Sequence, residues 1–443
     1  MRATRRRWGV LVGGAALLCA LIVTVTLAQI GRSPTTPTRA TQTPGATAAT
    51  GPSLPANHYS ATLAAAEREA AIQQTARQDV AGMTLDQKLG QMFLIETYYK
   101  TWTPDIANMV VGMHAGALII YGKNMQSATQ LHDYIASIQA HASIPLLVTM
   151  DEEGGLVDRL GYYHFFPPLP AAQDLGATGN VALATQAGDQ AAQEMLAMGI
   201  NTDLAPVVDV RGPNGSVETT RLYSSDPATV ARFAGAYLDA LQSHGVIATL
   251  KHWPGIGDVT LDPHLTLPSI NAPMSQLESQ HFATFRALLA HNPGMIMVTH
   301  VLVNAVDPTM PATLSPKMVD GILRGELGYN GVVMTDSLYM QGIAERYSLP
   351  QAGVLAVMAG DDLLEGAYDT SSMAQMIAAL KAAISDGRIS MARIDQSVQR
   401  ILALKIRFGM LPLRDPHYPT GTVGGARALS QPSDARRYGQ PYA

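Results

Sequence analysis

The sequence predicts an α/β fold, a single (β/α)8 TIM barrel, from three observations. Short apolar runs recur at 89–96, 115–122, 145–153, 202–210, 245–253, 294–301, 331–338 and 360–366. They are continuously apolar rather than alternating, as strands buried on both faces are. Amphipathic helical patterns separate them, among them NVALATQAGDQAAQEMLAMG, PATVARFAGAYLDALQSHG, PMSQLESQHFATFRALLAH and SSMAQMIAALKAAISDG, and this alternation is that of a barrel. Polar residues gather at the C-terminal ends of the runs: Asp151 and Glu152, Asp209, Lys251 and His252, His300, Asp336, Asp361 and Asp362. That end is where such barrels carry their chemistry. An open doubly wound sheet would instead show a glycine-rich phosphate loop after its first strand, and none is present.

The elements that precede the barrel differ in composition. Arg2, Arg5, Arg6 and Arg7 stand before an uncharged apolar run, Trp8 to Ile30. This is the pattern of a signal peptide or signal anchor over residues 1–30, and the run is long enough to span a bilayer. With the arginines held inside, the remainder would be exported, either secreted or anchored to the cell surface. Thr26-Leu27-Ala28 offers a cleavage site, whereas Ala16-Leu17-Leu18 before Cys19 fits a lipoprotein box poorly. Residues 31–58 are rich in Thr, Pro, Ala and Gly and read as a disordered tether. A helix is expected over 60–82. The barrel domain would span 59–412, with a loose polar tail at 413–443.

Composition excludes several classes. With 47% hydrophobic and 15% charged residues, the chain can bury a sizeable core. A net charge of −5 with no basic stripe gives no footprint for nucleic acid. Cys19 is the only cysteine, so neither a disulfide framework nor a cysteine nucleophile is available within one chain. No cofactor is expected, and the domain is expected to act as a monomer.

Two segments carry the candidate chemistry. Asp336, in GVVMTDSLYM, ends an apolar run and could be a helix N-cap or a carboxylate at the barrel mouth. KHWPGIGDVTLDPHLTLP, residues 251–268, holds Lys251, His252, Asp262 and His264. An Asp beside a His fixes its tautomer and raises its basicity, which suits a general acid/base. A metal site built from His252, Asp258, Asp262 and His264 is the rival reading, weakened by the adjacent lysine and by the lack of HExxH spacing.

These segments resemble the β-N-acetylhexosaminidases of glycoside hydrolase family 3. KHWPGIGDVTLDPH is similar to that family's K-H-F-P-G-H-G-D-x-x-x-D-S-H. MDEEGGLVDRL is similar to its D-Q-E-G-G-R-V-x-R-L, TDLAPVVDV to its N-x-x-x-A-P-V-x-D-V, ETTRLYSSDPATVA to its G-x-R-S-F-G-x-D-P, and GYNGVVMTDSLYM to its G-F-x-G-V-I-x-S-D-D/S-L-x-M. The resemblance implies a two-step retaining hydrolysis with Asp336 as nucleophile, His264 as general acid/base and Asp262 as its partner. It places Asp151, Arg159, Arg221, Lys251 and His252 on the hydroxyls of the innermost sugar. The substrate would be a glycan with a terminal β-linked N-acetylglucosamine, from peptidoglycan fragments or chitooligosaccharides. A family member of other sugar specificity, or a non-catalytic glycan-binding barrel, is the alternative.

The resemblance also gives Glu152 no catalytic part, since the family has an uncharged Gln there, and Asp209 is expected to brace the barrel mouth rather than touch substrate. Three positions depart from the pattern: Pro263 for the usual Ser, Ile256 for His and Leu156 for Arg. None removes a catalytic atom. Pro263, with its fixed φ, would restrict how Asp262 and His264 move.

Overall fold

The computed structural model describes residues 56–414, apart from 214, 215 and 217. The apolar run 8–30, the tether up to residue 55 and the tail from 415 lie outside these residues. Among the described residues no helix is long and apolar enough to cross a membrane.

Eight parallel strands form one sheet: β1 (Phe93–Glu96), β2 (Ala117–Ile119), β3 (Leu147–Met150), β4 (Thr202–Asp203), β5 (Ile247–Trp253), β6 (Met295–Val298), β7 (Val332–Thr335) and β8 (Leu364–Ala367). Each pairs with its sequence neighbour, and β1 also pairs with β8. A bridge between Met334 and Leu363 and the bond from Thr335 N to Leu363 O (3.0 Å) join β7 to β8. The ring is thereby nearly closed. Every strand residue is buried, which is why the runs show no alternation: one face packs the barrel interior and the other meets helices. Trp253 at the end of β5 illustrates the outer layer. Its ring lies 4.9 Å from Phe282 and 5.0 Å from Phe285, and its Nε1 donates to Met318 O.

The helices start where the sequence supplies caps. Helix α1 (Ala56–Ala81) precedes the barrel. Asn180 caps α2 (Val181–Ala197), and Asp226 followed by Pro227 starts α3 (Pro227–Ser243). Asp369 and Ser372 close a capping box on α4 (Thr370–Ser385), and Ser390 caps α5 (Met391–Arg407). Helix α5 returns to α1, where Arg407 pairs with Glu69 at 2.7 Å.

Two expectations need correction. The run 202–210 forms a strand only over Thr202–Asp203. Pro206, after a cis peptide, has no N–H for the ladder; β5 is met there through the carbonyls of Ala205 and Pro206, which accept from Thr249 N (2.9 Å) and Lys251 N (3.3 Å), before Val208 N donates to Lys251 O. Asp361 and Asp362 were expected at the C-terminal mouth, but both precede β8 and lie at the opposite end. There Asp362 accepts from Arg324 (2.6 Å), Arg400 (3.1 Å), Arg393 (3.3 Å) and Ser397 (2.7 Å). Apolar Leu363 and Leu364 follow the pair, so the strand begins after the acids, not before them. At this end of a barrel such a network serves stability.

Candidate active site

The C-terminal ends of the strands enclose a cavity of about 480 Å3. Its lining includes Asp151, Arg159, Arg221, Lys251, His252, His264 and Asp336. Seven of the eight residues singled out in the sequence thus face one space, and the eighth, Asp262, touches one of the seven, His264.

Asp336 follows β7 directly. Its Oδ1 accepts from the Ser337 N–H (2.9 Å) and its Oδ2 from the Thr299 hydroxyl (3.0 Å), which fixes the carboxylate plane. Burial acts to raise its pKa, but His300, His252, His264 and the Ser337 N–H outweigh it and hold the carboxyl below its ordinary value. Asp336 is therefore an anion at neutral pH. His300 makes no opening to the cavity: its Nε2 meets Ser337 O and its Nδ1 the Thr313 hydroxyl, both at 2.8 Å.

Asp262 and His264 sit on the loop after β5. His264 Nδ1 lies 2.8 Å from Asp262 Oδ1, which leaves Nε2 as the free ring atom. The His264 N–H (2.9 Å) donates to the same oxygen, and with the ring it holds the Asp262 carboxyl below its ordinary value against the effect of burial. Leu265 N donates to Asp262 O, closing a β-turn with Asp262 at its first position and Pro263 at its second. Those are the positions Asp and Pro favour, so the departure Pro263 builds the turn that joins the pair. The loop rests on the segment after Asp336: Gln341 N approaches His264 O at 3.4 Å, and a side chain at Gly342 would press on the carbonyls of Pro263 and Thr266.

The opposite wall is a buried ion network. Lys251, 2% exposed, reaches Asp151 at 2.6 Å and Glu153 at 2.5 Å. Arg221 grips Glu153 with Nε (2.6 Å) and Nη2 (2.8 Å) and also pairs with Glu218. Arg159 Nη2 lies 3.8 Å from Asp151, and its buried Nε has no hydrogen-bond partner among the described residues. His252 Nδ1 meets Asp209 at 2.7 Å. Burial opposes protonation of that ring, but Asp209 and Glu218 raise its pKa. Asp209 also accepts from the Ile256 N–H (2.9 Å), so it braces the base of the loop as expected. The Lys251–His252 peptide is cis.

Sequence reasoning missed several members. Glu153, within MDEEGGLVDRL, is the hub between Lys251 and Arg221. Glu96, Tyr121 and Glu365 form a wall from β1, β2 and β8. Tyr121 donates to Glu365 at 2.9 Å, and Ser337 Oγ donates to Glu96 at 3.0 Å. Burial, reinforced by the neighbouring acids, raises both glutamates. A single carboxylate inside an apolar run was the available signal.

The rival metal quartet is not assembled. His252 binds Asp209, Asp258 pairs with His281 at 3.3 Å, and Asp262 pairs with His264. Asp209, Glu218 and His252 do bring ligand atoms within 4.8 Å of one another. Arg221, however, pairs with Glu218 and stands 3.4 Å from His252 Nε2, so its guanidinium already holds the place of a cation.

Residues 84–404 match the glycosyl hydrolase family 3 N terminal domain. The chain belongs to that family. It is similar to the β-hexosaminidase of Nitrosomonas eutropha, 32% identical over 65% of this chain and 85% of the relative. It is 27% identical to β-hexosaminidase A of Pseudoalteromonas piscicida over 73% of this chain, but spans only 61% of that relative's length. Among solved structures it resembles a family 3 β-N-acetylglucosaminidase from Paenibacillus sp. FPU-7, with TM-score 0.72 and 34% identity over 81% of this chain and 68% of the other.

Glu152, where the family resemblance places Gln, turns away from the cavity of this family 3 barrel. Its carboxyl accepts from the Arg159 (2.8 Å) and Leu160 N–H groups, and Tyr237 OH ties its carbonyl to Asp203. Burial, with Asp158 and Asp203 adjacent, pushes its pKa up to about 10. A protonated Glu152 carries both a donor and an acceptor, as Gln does. Its folded pKa stands above the ordinary 4.5, so the stability it contributes is complete below 4.5 and falls as pH climbs toward about 10. Glu152→Gln should therefore match the wild type at pH 5 and exceed it in melting temperature by a margin that widens to pH 9. Parallel pH profiles for the two proteins would remove this account.

Proposed function

We propose that the protein is a retaining exo-β-N-acetylglucosaminidase that removes terminal non-reducing β-linked N-acetylglucosamine from peptidoglycan fragments or chitooligosaccharides, acting outside the cytoplasm, secreted or held by residues 1–30. The observation that carries this reading is that anionic Asp336 and the Asp262–His264 pair open on one cavity whose other wall holds Asp151, Arg159, Arg221, Lys251 and His252. The relatives named for hexosaminidase activity support the choice of sugar.

The chemistry follows from the charges. In the first step an Asp336 oxygen bonds to the anomeric carbon as the glycosidic C–O bond breaks, and His264 gives its proton to the departing oxygen. In the second step His264 takes a proton from water, the water oxygen bonds to the same carbon, and Asp336 leaves as the anion. Two inversions return the original β configuration. An imidazole donor is neutral after the first proton transfer, so it does not repel the water it must then activate. Lys251 donates to a sugar hydroxyl while Asp151 and Glu153 accept, and the Arg159 guanidinium supplies a further donor.

Comparing p-nitrophenyl N-acetyl-β-glucosaminide with the matching glucoside tests the sugar, and preference for the glucoside would overturn it. His264→Ala should lower kcat/KM about a hundredfold on a chitooligosaccharide and far less on an activated aryl glycoside, whose leaving group needs little protonation. Equal losses on both substrates would count against the acid role.

A further inference from the structure

The mouth of the cavity is aromatic along one arc. Tyr98 follows β1, Tyr339 follows β7 and Tyr368 follows β8, and they are 50%, 60% and 40% exposed. Tyr98 and Tyr339 line the cavity. The rings of Tyr339 and Tyr368 stand 5.0 Å apart at 60°. Lys123 Nζ lies 4.3 Å from the centre of the Tyr98 ring, and the Tyr121 ring stands 6.0 Å from it. Single exposed aromatics are ordinary on a protein surface, but two that line one cavity, with a third packed against one of them, form a patch that a ligand would cover.

The position of Tyr339 says which part of a ligand. Tyr339 is three residues beyond Asp336, and the residues just after it carry the acid/base loop through Gln341 N and Gly342. A glycosidic oxygen reached by His264 while Asp336 attacks the anomeric carbon must lie between those two groups. The segment that joins them flanks the leaving group, not the sugar held by Lys251 and Asp151. A tyrosine ring offers an apolar face to the C–H face of a pyranose and a hydroxyl to its edge.

We propose that Tyr339, backed by Tyr368 and Tyr98, is the platform for the second sugar ring, so that the substrate is a β-linked oligosaccharide rather than a glycoside with a small leaving group. This rests on the proposed glycosidase reading. Tyr339 acts on affinity for the leaving-group ring and takes no part in bond making.

The test compares chitotriose with N-acetyl-β-glucosaminyl fluoride, whose leaving group has no ring, for the wild type, Tyr339→Ala and Tyr339→Phe. Tyr339→Ala should lower kcat/KM on the trisaccharide about tenfold, through KM, and change the fluoride rate by no more than about twofold. Tyr339→Phe should behave as the wild type, since stacking needs the ring and not the hydroxyl. Equal losses on both substrates, or no loss on the trisaccharide, would overturn the platform. The same pair in the gluco configuration separates this from the choice of inner sugar: a wild type that prefers cellotriose and glucosyl fluoride overturns the N-acetylglucosamine reading, while the Tyr339→Ala ratio between trisaccharide and fluoride still decides the platform.

Discussion

Asp336→Ala is expected to lower kcat on any β-glycoside by at least about four orders of magnitude. The nucleophile is the one group whose loss removes a covalent step altogether, and no neighbour can replace it. Glu96 and Glu365 are the nearest candidates, but burial and mutual repulsion favour their protonated forms. Thr299 and the Ser337 N–H, which orient Asp336, are donors only toward it. The fold should be unaffected, because the side chain opens on the cavity rather than into the core. The deletion leaves room for a small anion beside the anomeric carbon. Added azide should restore turnover and give the α-glycosyl azide, the product of a single inversion, when an activated aryl substrate supplies the leaving group. A variant that keeps wild-type turnover, or an azide product of β configuration, would remove Asp336 from the nucleophile's place.

The barrel was legible because all eight strands are buried on both faces, and burial of that kind writes itself as uninterrupted apolar runs. Where the reading slipped, a local feature overrode the run. Pro206 cut one strand short. The acids at 361 and 362 were read as a strand end because they stand beside apolar residues, but the sequence does not say on which side of them the strand lies. In the site, residues with free or facing polar groups were legible: Asp336 after its strand, the Asp262–His264 pair, Lys251 with His252. Their supports were not. Glu153 is distinguished from Glu152 only by the pleat: adjacent residues on a strand point to opposite sides, so one enters the cavity and the other the space beneath Tyr237. Glu96 and Glu365 each stand alone in an apolar run, and nothing local announces that β1 and β8 are neighbours. Pro263 reads as an obstacle in a line of sequence and as a turn residue in three dimensions.

That missed hub carries the second large effect. Glu153→Gln should destabilise the protein by about 3–5 kcal/mol and reduce kcat/KM about a thousandfold. Its side chain is 4% exposed and holds Lys251 on one oxygen while Arg221 spans both. Burial opposes its ionisation, but Arg221 and Lys251 overcome this and hold its pKa well below the ordinary 4.5. An amide in its place would leave two buried cations sharing Asp151 and Glu218, and its NH2 would face a cation with a donor. In the proposed reading both cations face the sugar, so their displacement would reach catalysis as well as stability. A carboxyl with a lowered folded pKa contributes stability that is present above the unfolded value and lost as pH falls below it. The wild type should thus lose stability from about pH 4.5 downward, and Glu153→Gln should lack that component in urea titrations at pH 7 and pH 3.5. Adding Lys251→Met to Glu153→Gln should recover part of the stability, because it removes one of the cations left behind, while activity stays lost. If the single variant matches the wild type in urea midpoint at pH 7, or the double variant is less stable by the sum of both single losses, the network does not hold this wall together.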